Sequence, residues 1–218
     1  MTREQVLQRI FDRKIIAIIR GQEVETIPRL AEALYQGGID LIEVTFRQDA
    51  PESWADTAQS IHTISEMHTE QLLAGAGTVT SREMVRLAYD AGAKYIISPT
   101  VDRAVIEETL ALGMVSLPGA MTPTEVQTAH QLGADAVKLF PAGTLGVGYV
   151  RALRAPLPQI PLMAVGGIRE DNAALWLQAG CVGIGAGGNL VDPQLVRAGR
   201  YDEITAIARQ YRKAVDEA

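Results

Sequence analysis

Lysine is scarce in this chain: among 218 residues there are four, Lys14, Lys94, Lys138 and Lys213. Cysteine is scarcer still, and the single Cys181 excludes an internal disulfide framework and suits a reducing compartment. Three histidines, His62, His68 and His130, have no ligand partner at useful spacing, so a metal site has no support and no cofactor is expected. No segment approaches the roughly 20 apolar residues that a membrane-spanning helix needs. Met1 to Arg13 is charged and amphipathic rather than the apolar core of a signal peptide. A net charge of −6 leaves no basic footprint for nucleic acid or an anionic membrane. These absences lead us to expect a cytosolic protein whose partners are small molecules.

What is present is an ordinary globular composition, 47% hydrophobic and 21% charged, in a length that fits one domain over residues 1–218. Short apolar runs recur at Ile15–Arg20, Leu41–Phe46, Leu72–Val79, Tyr95–Pro99, Val115–Ala120, Ala136–Pro141, Leu162–Gly167 and Cys181–Gly188. They start roughly 20 to 30 residues apart, the interval of a βα unit. Near-continuous apolar character predicts parallel strands covered on both faces. Between them lie helical patterns, such as Val24 to Gln36 and those capped at Ser81 and Thr122. Glycines before the next strand (Gly37-Gly38, Gly92, Gly133, Gly180) mark helix ends. Eight such units behind an N-terminal helix predict an α/β fold, a closed (β/α)8 barrel with short loops. An open doubly wound sheet is the competing architecture, but Arg20-Gly21-Gln22 stands where its G-x-G-x-x-G fingerprint belongs.

Lys138 is the only lysine inside an apolar strand, Ala136-Val137-Lys138-Leu139-Phe140-Pro141. Burial there favours the neutral amine, a nucleophile able to form a Schiff base with a carbonyl. The other reading is a lysine whose stem packs in the wall while its head reaches water. In a parallel barrel the chemistry gathers at the C-terminal strand ends. Those ends carry Arg20, then Glu43, Thr45 and Arg47, which alternate along the second run and are expected to share an inward face. They call for a ligand or for mutual Glu43–Arg47 pairing. The other ends are Gly75-Ala76-Gly77-Thr78, Ser98-Pro99, Leu117-Pro118-Gly119 and Phe140-Pro141. The last two runs end in Gly166-Gly167 and Gly187-Gly188, each expected to open into a helix. Backbone N–H groups at such starts suit phosphate, although glycine pairs also serve tight turns.

Taken in order, Ala17-Ile18-Ile19-Arg20, Ile42 to Arg47, Gly75 to Val79, Ser98-Pro99, Leu117-Pro118-Gly119, Lys138 to Ala142 and Val165-Gly166-Gly167 make nearly the whole chain resemble one family. It is that of the 2-keto-3-deoxy-6-phosphogluconate (KDPG) and 4-hydroxy-2-oxoglutarate (KHG) aldolases. The resemblance implies a class I aldolase with Lys138 as the Schiff-base lysine and Glu43 as general acid/base. It also implies that Arg47 and Thr78 hold the pyruvyl carboxylate and that Pro99 and Phe140 wall the pocket. Arg20 would face the substrate's polar end, and Gly166, Gly167, Gly187 and Gly188 the phosphate. A cytoplasmic homotrimer acting on 2-keto acids is implied as well. The chain departs from the pattern at Thr100, often glycine, and at Gly188, near which many members place a serine. A sister group that cleaves the galactonate epimer lacks the arginine matching Arg47, so Arg47 points to the KDPG/KHG side. Another phosphate-binding barrel enzyme and a non-catalytic sugar-phosphate sensor are the remaining classes, and neither requires Lys138.

Overall fold

Each apolar run becomes a buried parallel strand in the computed structural model, which describes residues 1–68 and 71–218. The strands are β1 (Ile15–Ile19), β2 (Leu41–Thr45), β3 (Leu73–Gly77), β4 (Tyr95–Ile97), β5 (Val115–Leu117), β6 (Gly119–Ala120), β7 (Val137–Leu139), β8 (Leu162–Val165) and β9 (Gly183–Ala186). Nine segments arise from eight runs because Pro118, which lacks an N–H, interrupts the fifth. On one side of the break β5 pairs with β4, and on the other β6 pairs with β7. The Pro118 carbonyl still accepts from the Lys138 amide at 2.9 Å. Around the sheet the order is β5-β4-β3-β2-β1-β9-β8-β7-β6. Its two ends are joined by the chain itself at Pro118, so the sheet is a (β/α)8 barrel, not an open sheet.

Alternation along the strands sorts the apolar residues into two layers. Ile16, Leu41, Leu73, Tyr95, Val115 and Met163 fill the barrel, together with Val6 and Ile10. Those last two belong to the N-terminal helix Arg3–Arg13, which therefore closes the end opposite the strand C-termini. Its arginines fasten it there: Arg3 to Asp135 at 2.6 Å, Arg9 and Arg13 to Asp40 at 2.7 and 2.8 Å. The second layer, including Ala17, Ile42, Ala74 and Ala164, packs under the outer helices.

Local signals account for the helix limits. Thr2 and Gln5 form a reciprocal cap, as do Thr122 and Glu125, and Ser81 caps Arg82–Asp90. Gly38, Gly92, Gly133 and Gly180 all have positive φ at the turns before the next strand. The Val24 to Gln36 pattern divides into a short 3-10 turn, Val24–Thr26, and the helix Ile27–Gln36, with Pro28 in its first turn. Cys181 is buried and free, and burial pushes its thiol up to about 12, which makes it a packing residue. Among the described residues no helix is long and apolar enough to cross a membrane.

Candidate active site

Because all the strands are parallel, their C-terminal ends share one rim, where a cavity of about 390 Å³ opens. Arg20, Glu43, Thr78, Pro99, Lys138, Phe140, Gly166, Gly167, Gly187 and Gly188 all line it. Of Glu43, Thr45 and Arg47, expected to share one inward face, only Glu43 lines this cavity; Thr45 and Arg47 line a second one.

Lys138 sits in the middle of β7, only 7% exposed, so the backbone leaves its stem no route except the barrel interior. Its Nζ lies 5.0 Å from the centroid of the Phe140 ring. Burial pushes its pKa below the usual lysine range; the Glu43 carboxylate opposes this and Arg20 reinforces it. Among the described residues no carboxylate lies within ion-pair distance of Lys138, so its head faces the cavity without a fixed partner.

Glu43 projects inward from β2 and is 1% exposed. Burial lifts its carboxyl above the usual range, and Lys138 and then Arg20 pull it back. Its Oε2 is closed off and has no hydrogen-bond partner in the protein. The carboxyl with a raised pKa and the amine with a lowered one line the same cavity, an arrangement that suits proton exchange. Room for it is made by β3, since a Cβ on Gly77 would overlap the Glu43 carboxyl.

Thr78 follows directly, with φ of 57°, a conformation that β-branched residues rarely adopt. Gln48 holds it there: Nε2 donates to the Thr78 carbonyl at 2.7 Å, and Oε1 accepts from Thr80 at 2.7 Å. Gln48 carried no signal in the sequence, because a glutamine in a polar loop marks no chemistry by itself.

Arg47 corrects the expectation of a shared inward face. β2 ends at Thr45, which itself already lines the second cavity, so the inward placement of Glu43 is lost before the chain reaches Arg47. Its guanidinium pairs with Asp49 at 3.0 Å and lines a separate cavity of about 220 Å³ beside helix Trp54–Glu66. The Glu43–Arg47 ion pair is absent as well. Arg20 lines the Lys138 cavity and has no ion-pair partner among the described residues.

The glycine ends depart from expectation too. Gly166 and Gly167, with φ of 93° and 76°, lead into a turn before helix Ala173–Gln178. Gly187 and Gly188 lead into a turn before Pro193–Arg197. Neither pair opens directly into a helix, so any anion site is made by turn amides. The amides of Gly167, Ile168, Gly188 and Asn189 have no acceptor in the protein among the described residues. The intervening Ile168 peptide is fixed from behind, where Tyr211 Oη and Asn189 Nδ2 donate to its carbonyl at 3.0 and 3.3 Å. Asn189 thus spends its side chain on the turn. Among the described residues no His, Cys, Asp or Glu cluster could hold a metal. His68 instead contacts Glu32 at 2.6 Å.

A family model described as KDPG and KHG aldolase matches residues 6–207. The 2-dehydro-3-deoxy-6-phosphogalactonate aldolase of Escherichia coli (strain K12) is 36% identical over 207 residues, covering 92% of this chain and 96% of that one. The 2-dehydro-3-deoxy-phosphogluconate aldolase of Treponema pallidum (strain Nichols) is 32% identical over 207 residues, 94% of each chain. Among solved structures, the KDPG aldolase from Legionella pneumophila, captured with pyruvate as a covalent carbinolamine, superposes with a TM-score of 0.83. It is 25% identical, covering 93% of this chain and 96% of that one.

Proposed function

The chain belongs to the KDPG and KHG aldolase family and is a pyruvate-dependent aldolase; from that premise we propose that Lys138 is its imine-forming residue. Its substrates are 2-keto-3-deoxy-6-phospho sugar acids, KDPG foremost, with KHG as a shorter alternative. One observation carries this reading. The only lysine in the cavity is buried, has a lowered pKa, and shares that cavity with a buried carboxyl whose pKa is raised.

The neutral Lys138 amine attacks the C2 ketone, and loss of water leaves a protonated imine. Glu43, directly or through a water, takes the C4 hydroxyl proton as the C3–C4 bond breaks. The bond's electrons pass to the imine nitrogen, giving an enamine and releasing the aldehyde. Glu43 returns the proton to the enamine carbon, and hydrolysis frees pyruvate. The aldehyde is glyceraldehyde 3-phosphate from KDPG and glyoxylate from KHG. Thr78 and Arg20 hold the carboxylate and orient the scissile bond, while Pro99 and Phe140 wall the imine. The unpaired amides beside Gly167 and Gly188 receive the phosphate. A single barrel over residues 1–218, a homotrimeric assembly and a cytoplasmic setting complete the reading.

The galactonate epimer is the second reading, and two observations favour it. Identity is 36% to the phosphogalactonate relative against 32% to the phosphogluconate relative over 207 residues each. Arg47, the residue that pointed to the gluconate side, lies outside the Lys138 cavity, where it pairs with Asp49. A substrate panel decides: KDPG, its galactonate epimer, the unphosphorylated acid and KHG, each followed by pyruvate release. We expect the phosphorylated acids to have the higher kcat/KM. The preference should be modest, because a hydroxyl that could add about 1.5–3 kcal/mol as a charge-assisted hydrogen bond is lacking at Gly188. Equal rates with and without phosphate would remove the phosphate site, and a preference for the galactonate epimer would select the second reading.

A further inference from the structure

Tyr95 lies inside the barrel below the cavity, and no step of the reaction uses it. Its ring is fully buried on β4, and its hydroxyl has no hydrogen-bond partner in the protein. A buried hydroxyl in that condition is costly unless it serves something. Glu43 Oε2 is closed off and unpartnered in the same way.

The sheet register brings the two together. Glu43 aligns with Gly75 of β3, and Gly75 aligns with Tyr95. With no side chain at Gly75, the Tyr95 ring lies across that position, where a Cβ would overlap it. The Glu43 carboxyl occupies the corresponding space over Gly77. Gly75 and Gly77 are two residues apart on one face, about 6.6 Å along the strand. The Tyr95 ring and the Glu43 carboxyl therefore lie over neighbouring inward positions of the same strand, and one water with two O–H···O bonds of about 2.8 Å bridges oxygens roughly 4.5–5.5 Å apart.

We propose that Tyr95 is a positioning residue for Glu43: its hydroxyl donates through one bound water to Oε2 and holds the carboxylate with Oε1 facing the cavity beside Lys138. The Glu43 charge acts on Tyr95, since together with burial it raises the phenol's pKa. Lys138 on β7 and Arg20 beyond β1 are the other charged groups that act on the Glu43 carboxyl. Asp40, the remaining charge that Tyr95 feels, is paired with Arg9 and Arg13 at the far end of the barrel.

A donor to Oε2 favours the ionised carboxyl, so removing it raises the pKa of Glu43 and moves the acid limb of kcat/KM to higher pH. The test compares wild type, Tyr95→Phe, and protein carrying 3-fluorotyrosine at position 95. Phenylalanine keeps the ring, and 3-fluorotyrosine, a stronger donor, nearly keeps the shape. The acid limb should rise by about one pH unit with phenylalanine, a tenfold change in proton affinity, and fall with 3-fluorotyrosine. Pyruvate trapping at Lys138 should persist in both. Limbs that coincide with wild type, or that move in the same direction in both proteins, overturn the proposal. It rests on Glu43 being the acid/base, so Glu43→Gln is run alongside. If Glu43→Gln keeps pyruvate proton exchange, the role of Glu43 falls and the proposal with it. If exchange is lost while Tyr95→Phe leaves the limb in place, the proposal alone falls.

Discussion

The carboxyl of Glu43 occupies the space that a side chain at Gly77 would need. The two residues lie on neighbouring strands, Glu43 on β2 and Gly77 at the end of β3. The acid/base group is therefore shaped by an absence on the strand beside it. Gly77→Ala should force the carboxyl aside and depress aldol cleavage and pyruvate methyl-proton exchange together. Borohydride trapping of pyruvate at Lys138 should persist. Wild-type exchange in D₂O, followed by NMR, would mean that Glu43 tolerates displacement and is not the proton carrier.

Glu43→Gln keeps the shape and removes the titration. The imine should still form, though slowly, while cleavage falls by about 10²–10⁴-fold, the usual contribution of a general acid/base. Single-turnover kinetics separates the two steps. A loss confined to imine formation would reassign Glu43 to activating Lys138.

Arg20 and Arg47 give opposite expectations for carboxylate binding. Arg20 lines the cavity, and Arg47 is paired with Asp49 outside it. Arg20→Ala should raise KM for pyruvate exchange by about ten- to a hundredfold, the loss of one charge-assisted hydrogen bond. Arg47→Ala should change it little. The reverse order would show that Arg47 leaves Asp49 when substrate binds.

Lys138 should cost stability. Its pKa in the native state lies below the usual lysine value of 10.5, so below that pH the unfolded chain binds the extra proton. Native stability is lost as pH falls from 10.5 toward the native pKa, and the penalty is complete below it. Lys138→Met should therefore melt higher than wild type at neutral pH, by about 2–4 °C for each kcal/mol relieved. The difference should vanish above pH 10.5, and an unchanged melting point at pH 7 would mean that the ammonium is well solvated.

Much of this site was legible in the sequence, for a physical reason. Parallel strands buried on both faces read as short apolar runs, so their ends, and the polar residues there, could be counted off. Lys138 stood out because an ammonium inside such a run is costly. Thr45 and Arg47 were expected on the inward face of Glu43, but both line the second cavity, where Asp49, a local partner, pairs with Arg47. The glycine pairs suggested helix starts, but turns come first, and no local pattern separates the two. Gln48 and Tyr95 escaped notice because their relevance is entirely tertiary: one holds a neighbouring loop, and the other reaches across a glycine on the next strand.

The most direct measurement is borohydride reduction in the presence of pyruvate, followed by peptide mapping. A single adduct should form on Lys138, and Lys138→Ala should abolish it. An adduct on Lys14 or Lys94, or none on wild-type protein that still cleaves substrate, would contradict the account.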